Sequence, residues 1–293
     1  MNTSDSKAFF YALLAVFFWS TVATAFKLSL NFSTPEQLVF ISSFFSALFF
    51  LMVSLFSGSL KEIKMWKSKD WMIVISLALI NPTFYYWVLF KAYALLPAQQ
   101  AQVINYSWGV LLALLSALLF KHKLSLNLIS GLLICYIGVA LVSQFWTVQA
   151  GASALSGILF ALLSTVLWSS YWLIKKYFKH DPMNALTVSF IISLPLMLII
   201  HHPLSLQLVN WRGWFGGFYV GLFEMGVTFV LFQKAIRMTS SIPKISALIY
   251  LSPILSLILI WKFLDEPITL WTLGGFGLIL VGNLLVQKTS EQP

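Results

Sequence analysis

The sequence predicts an all-α membrane protein of ten transmembrane helices, arranged as two inverted five-helix repeats. Three observations predict it: composition, the length of the apolar segments, and self-similarity. Of the 293 residues, 59% are hydrophobic and only 9% charged, against about a quarter charged in an ordinary soluble domain. Too few charges are present to cover a globular surface, so the chain must bury its apolar segments in lipid.

A spanning helix needs about 20 mostly apolar residues, and that ruler marks ten segments separated by short polar punctuation. They run from Phe9 to Leu30, Pro35 to Phe56, Trp71 to Phe90, Pro97 to Phe120, and Leu126 to Trp146. The remaining five run from Ser153 to Tyr177, Met183 to Ile200, Trp211 to Ala235, Pro243 to Phe263, and Leu270 to Val286. Long continuous apolar runs exclude a transmembrane β-barrel, whose strands alternate apolar and polar residues. A cleavable secretory signal at the N-terminus is also rejected. The first apolar run passes the Ala23-Thr24-Ala25 site and continues to Leu30. The lone Cys135 lies within a span and has no partner for a disulfide inside the chain.

The net charge of +9 is a topology signal. With alternating loops, 14 of the 18 basic residues fall on one side, including Lys61, Lys64, Lys67 and Lys69. Only Lys27, Lys91, Arg212 and Lys262 fall on the other. The positive-inside rule then places both termini in the cytoplasm. A nucleic-acid partner is not expected; the lipid bilayer is.

Self-comparison divides the chain into a first repeat, residues 1–147, and a second, 148–293. Trp19-Ser20 recurs as Trp168-Ser169 at a displacement of 149, and Trp71, Lys91 and Ala92 recur as Trp214, Lys234 and Ala235 at 143. Tyr106, Gly131 and Gly138 recur as Tyr250, Gly275 and Gly282 at 144. An ordered set at nearly constant displacement indicates duplication. Five is odd, so the second repeat enters the membrane upside down. Inverted repeats are a common plan of secondary transporters, with the substrate near the bilayer midplane.

The five-plus-five layout, Phe18-Trp19-Ser20-Thr21 in the first helix, and Asn105-Tyr106-Ser107-Trp108 in the fourth carry a resemblance. The whole chain resembles the EamA type of the drug/metabolite transporter superfamily. Its fourth-helix element is similar to that of bacterial aromatic amino acid exporters. The resemblance implies export of a small metabolite, such as an amino acid, across a bacterial inner membrane. One departure stands out: such exporters commonly follow the fourth-helix Trp with Pro, whereas Gly109 stands here and its repeat partner Pro253 keeps the proline. A different bend in that helix is implied.

Polar residues deep in a span are costly and mark function first. Among nine acids, only Glu224 lies far from both ends of a predicted helix, ten residues from both Trp214 and Lys234. Three roles stand open for it: exchanging a coupling proton, pairing with a cationic substrate group, or a buried structural hydrogen bond. Its repeat partner is Asn81, beside Pro82, so the same place is charged in one half and neutral in the other. Asn105 is a second candidate, balanced between ligand binding and interhelical adhesion; Gln99, Gln100 and Gln102 favour adhesion. Trp19 and Trp168 lie too deep for an interfacial belt, which does account for Trp66, Trp71, Trp211 and Trp214. Tyr85, Tyr106, Trp108, Tyr171 and Tyr250 complete the candidate substrate-binding set. The repeated Gly131/Gly138 and Gly275/Gly282 pairs predict close helix packing.

Enzymatic chemistry lacks a constellation. The four histidines fall at loops or span edges, and no Gly-rich phosphate loop is present. Neither a cofactor nor a metal is expected. The competing reading of a different class is a membrane enzyme using Glu224 as general acid/base. The preferred expectation is alternating access for a small-molecule substrate, with protons admitted as coupling partner through Glu224 and the oligomeric state left open.

Overall fold

The computed structural model describes residues 3–120, 126–143, 152–203, 206–239, 245 and 248–290, and every regular element among them is helical. In chain order the α-helices are α1 (Thr3–Ser29), α2 (Pro35–Ser57), α3 (Ser68–Ala78), α4 (Tyr85–Leu95), α5 (Ala98–Asn105), α6 (Trp108–Leu119) and α7 (Leu126–Ser143). There follow α8 (Ala152–Lys175), α9 (Pro182–Ile200), α10 (Trp211–Tyr219), α11 (Val227–Met238), α12 (Leu251–Leu264) and α13 (Leu270–Ser290).

Seven helical stretches are long and apolar enough to cross a membrane, among them Ser68–Leu95, Ala98–Leu119 and Trp211–Met238, which each join two of these helices. Three shorter apolar helices, Ile129–Val142, Leu251–Leu264 and Leu270–Leu285, bring the described set into register with the ten predicted segments. The protein is a multi-pass all-α membrane protein. Trp146 and Pro243, at predicted span ends, lie outside the described residues.

Short polar signals set the helix ends. Thr34 accepts from the Gln37 N–H while the Gln37 side chain accepts from the Thr34 N–H, and Pro35 occupies the first helical turn of α2. This reciprocal cap satisfies two donors that a helix start otherwise leaves open. Gly58 ends α2 at φ +69°, a left-handed conformation that costs glycine little. Asp181 caps α9 through the Met183 N–H at 2.7 Å, and Asn210 caps α10 through Arg212 and Gly213.

The chain forms two compact units, and each draws helices from both sequence repeats: Met1–Met65 with Asp181–Glu266, and Trp66–His180 with Pro267–Pro293. In the first unit α1 packs along α11 and α12, and α2 along α9 and α10. Ala8 and Ala12 of α1 are fully buried beside Ala235 of α11, small side chains that let two helices approach closely. The Ser54 and Thr187 hydroxyls hydrogen-bond at 2.7 Å, joining α2 to α9.

In the second unit α8 is the hub, packing against α3, α4, α5 and α6, while α7 lies along α13. The predicted glycine faces form that last contact. A methyl added to Gly138 would lie 2.5 Å from the Gly275 carbonyl oxygen, and one added to Gly282 would lie 2.6 Å from that of Gly131. Trp66, expected in an interfacial belt, is instead buried in this unit against Trp71 and Phe178, with ring centroids 5.3 and 5.1 Å away.

Candidate functional site

Two spans predicted as continuous are broken, and they are broken at repeat-equivalent places. Between α3 and α4 the chain makes a π-helical turn, Leu79–Phe84, in which Asn81 leaves helical geometry altogether at φ −137°, ψ 118°. Pro82 has no N–H to give the ladder. The Thr83 hydroxyl donates to the Ala78 carbonyl at 2.8 Å, satisfying an acceptor near the interruption. Between α10 and α11 the chain makes a second π-helical turn, Val220–Glu224, and Gly226 follows at φ −116°, ψ −93°. Here the Thr228 hydroxyl donates to the Phe223 carbonyl, again five residues back. Asn81 and Glu224 each sit inside a break.

In the second unit, Asn81 belongs to a dense polar and aromatic cluster. Its side chain is 2% exposed and hydrogen-bonded to Tyr171 of α8, while its Oδ1 has no hydrogen-bond partner. Trp168 lies between two rings, stacked on Tyr85 at 4.6 Å and on Tyr171 at 5.4 Å. Trp108 and Trp172 meet its edge at 6.4 and 6.0 Å. Both faces of the Trp168 indole are therefore covered by protein in this conformation. Lys175, one helical turn past Tyr171, holds its Nζ 4.7 Å over the Trp172 ring and 5.8 Å from that of Tyr171.

In the first unit, Glu224 is half-buried, with its Oε2 shielded from solvent. The same break carries Phe223, stacked on Phe18 of α1 at 4.7 Å, and Tyr219 just before it, whose hydroxyl meets that of Thr21 at 2.7 Å. Trp19 packs on Phe229 and Phe232 of α11 at 6.1 and 5.3 Å. From α2 the Ser46 hydroxyl donates to the Gly221 carbonyl at 2.6 Å, and a methyl at Gly221 would collide with the Ser42 carbonyl oxygen.

The predicted candidates thus divide. Asn81, Tyr85, Trp108, Trp168 and Tyr171 come together in the second unit, and Trp19 and Glu224 lie in the first. Asn105 donates to Ser164 of α8 at 2.8 Å, a bond that serves as adhesion between two helices. Gln99 likewise donates to the Pro267 carbonyl at 2.8 Å. Tyr106 stands at the break between α5 and α6, where its carbonyl accepts from Asn283 of α13 at 3.4 Å. The Tyr250 side chain lies outside the described residues, although its backbone forms a short 3-10 turn, Leu248–Tyr250, just before α12.

Sequence reasoning missed the residues that hold the breaks. Asn283 had no signal beyond being a lone amide in an apolar helix. It explains Gly109, since any side chain there would run into the Asn283 amide. Ser169 adds a 3.0 Å bond to the Trp108 carbonyl. Thr83 and Thr228 did leave a trace, because they are related by a displacement of 145, two more than Asn81 and Glu224. Among the described residues, no group of three or more His, Cys, Asp or Glu gathers to hold a metal ion.

Broken helices at matched positions of two repeats are a transporter's architecture, and comparison with known proteins agrees. The chain is similar to an uncharacterized transporter of Archaeoglobus fulgidus, 22% identical over 281 residues that cover 94% of this chain and 96% of that protein. It shares its fold with a solved crystal structure at a TM-score of 0.66 and 21% identity, covering 98% of this chain and 99% of the other. The model of the EamA-like transporter family matches twice, at residues 6–144 and 155–287. These two matches take in nearly the whole sequence, and the chain belongs to the EamA-like transporter family, within the drug/metabolite transporter superfamily.

Proposed function

We propose that this transporter moves a small metabolite such as an amino acid by alternating access, with the two helix breaks as its working sites. The observation that supports this most is the pairing of Asn81 and Glu224 inside repeat-equivalent interruptions. A broken helix presents backbone N–H and C=O groups that a continuous one uses internally, and it supplies a compliant point without exposing them to lipid. Asn81 offers neutral hydrogen bonding and Glu224 a charge, so one repeat orients the ligand while the other handles the ion or the substrate ammonium. Trp19, Tyr85, Trp108, Trp168, Tyr171 and Tyr250 are assigned to the pathway as its aromatic wall, and Asn105 and Tyr106 to its fourth-helix side.

Export is the assigned direction, resting on the resemblance to bacterial exporters, and both termini are assigned to the cytoplasm on the charge asymmetry of the loops. The test is uptake and efflux by the purified protein in reconstituted vesicles, against a panel of amino acids and organic cations, with and without a pH gradient. Saturable flux of at least one compound above that of empty vesicles supports the reading. Flux equal to empty vesicles across the whole panel contradicts it.

A further inference from the structure

The Asn81 cluster carries more than a general pathway role. A buried amide ordinarily uses both of its ends, because an unsatisfied polar atom away from water costs about 1–3 kcal/mol. Asn81 uses one. Its bond to Tyr171 fixes the plane of the amide, and Oδ1 is left buried and without a donor, at a position 98% shielded. Pro82, next in the chain, has no N–H to offer. Tyr85 and Tyr171 enclose the same region with ring faces, which attract polarised N–H groups and ammonium ions. The repeat-equivalent residue is Glu224, which when ionised is also purely an acceptor. The two breaks therefore ask for the same complement, a hydrogen-bond donor.

We infer that Asn81 Oδ1 is the polar anchor for a ligand that brings an N–H donor, an ammonium or amine group, beside an aromatic or other flat apolar body. The inference rests on the transport reading above and names its substrate class. Positive charge by itself is not what the anchor selects. Lys175 stands 5.8 Å from the Tyr171 ring, and its charge disfavours a bare cation in the cluster. The N–H group is the discriminating feature. Oδ1 is closed over in this conformation, so the ligand reaches it in the occupied state of the cycle, when the break and α8 give way locally.

A matched pair of probes isolates the hydrogen bond. Benzylammonium and benzyltrimethylammonium carry the same ring and charge, but only the first has N–H donors. Binding to the purified full-length protein is measured by calorimetry for wild type, Asn81→Leu and Asn81→Asp. The expected result is a preference for benzylammonium of about tenfold or more in wild type, the usual scale for a hydrogen bond to a charged group. Asn81→Leu, nearly the same shape, loses that preference; Asn81→Asp, which keeps an acceptor, retains it. Equal binding of the two probes by wild type, binding of neither, or a preference that survives in Asn81→Leu overturns the inference. Benzylammonium flux in vesicles is followed alongside. Discrimination without flux would sink the transport reading and leave the anchor standing, whereas flux without discrimination would do the reverse.

Discussion

The two helix breaks solve one problem by different means. Near Asn81 the interruption is enforced by proline, which lacks the N–H that the ladder needs, and the site is almost fully enclosed. Near Glu224 there is no proline. Glycines 221 and 226 let the backbone turn and let α2 press close enough for Ser46 to bind the Gly221 carbonyl. Both breaks then use a threonine hydroxyl on a carbonyl five residues back. What the duplication preserved is the discontinuity and its hydroxyl latch. What diverged is the means of breaking and the charge inside. One break is stiff and neutral, the other compliant and acidic.

Several substitutions probe that difference. The largest structural effect is expected at the tryptophans: Trp168 is ringed by four aromatic neighbours and Trp19 by two. Truncating a packed tryptophan costs about 3–5 kcal/mol, so Trp168→Ala should lower the thermal midpoint in detergent well below that of Trp19→Ala. Equal losses would mean that the Trp168 sandwich adds nothing to packing. Next comes Gly221→Ala, whose methyl meets the Ser42 carbonyl oxygen. Overpacking of this kind costs about 1–3 kcal/mol, and the same test on Gly274, which has open space around it, should be silent. Smallest are Thr83→Val and Thr228→Val. Each removes one hydroxyl bond worth about 1 kcal/mol, and the two should shift the midpoint alike; a large difference would show that the latches are not equivalent.

Much of this was legible in the sequence, for identifiable reasons. Ten apolar segments and their repeat needed only length and order, which lipid enforces strongly. Gly131, Gly138, Gly275 and Gly282 were readable as a packing face because small residues at two-turn spacing have few other uses in a membrane helix. Asn81 and Glu224 were found by burial cost. The breaks themselves were only half visible. Pro82 announced one, but the glycines of the other look like ordinary packing residues until α2 is placed against them. Nor could the sequence divide the site residues between units, since the compact units mix helices of both repeats. Orientation was out of reach as well: nothing in the one-dimensional pattern says that both faces of Trp168 are covered, or that Asn105 spends its amide on Ser164.

The most direct test of the paired-break account is the charge at Glu224. Purified Glu224→Gln in vesicles should retain substrate exchange while losing accumulation driven by a pH gradient, because glutamine keeps the shape and hydrogen bonding but cannot carry a proton. Loss of exchange and binding together would instead assign the carboxylate to the substrate ammonium, still within the break's role. Wild-type exchange and wild-type accumulation in the same preparation would contradict the account and remove Glu224 from the mechanism.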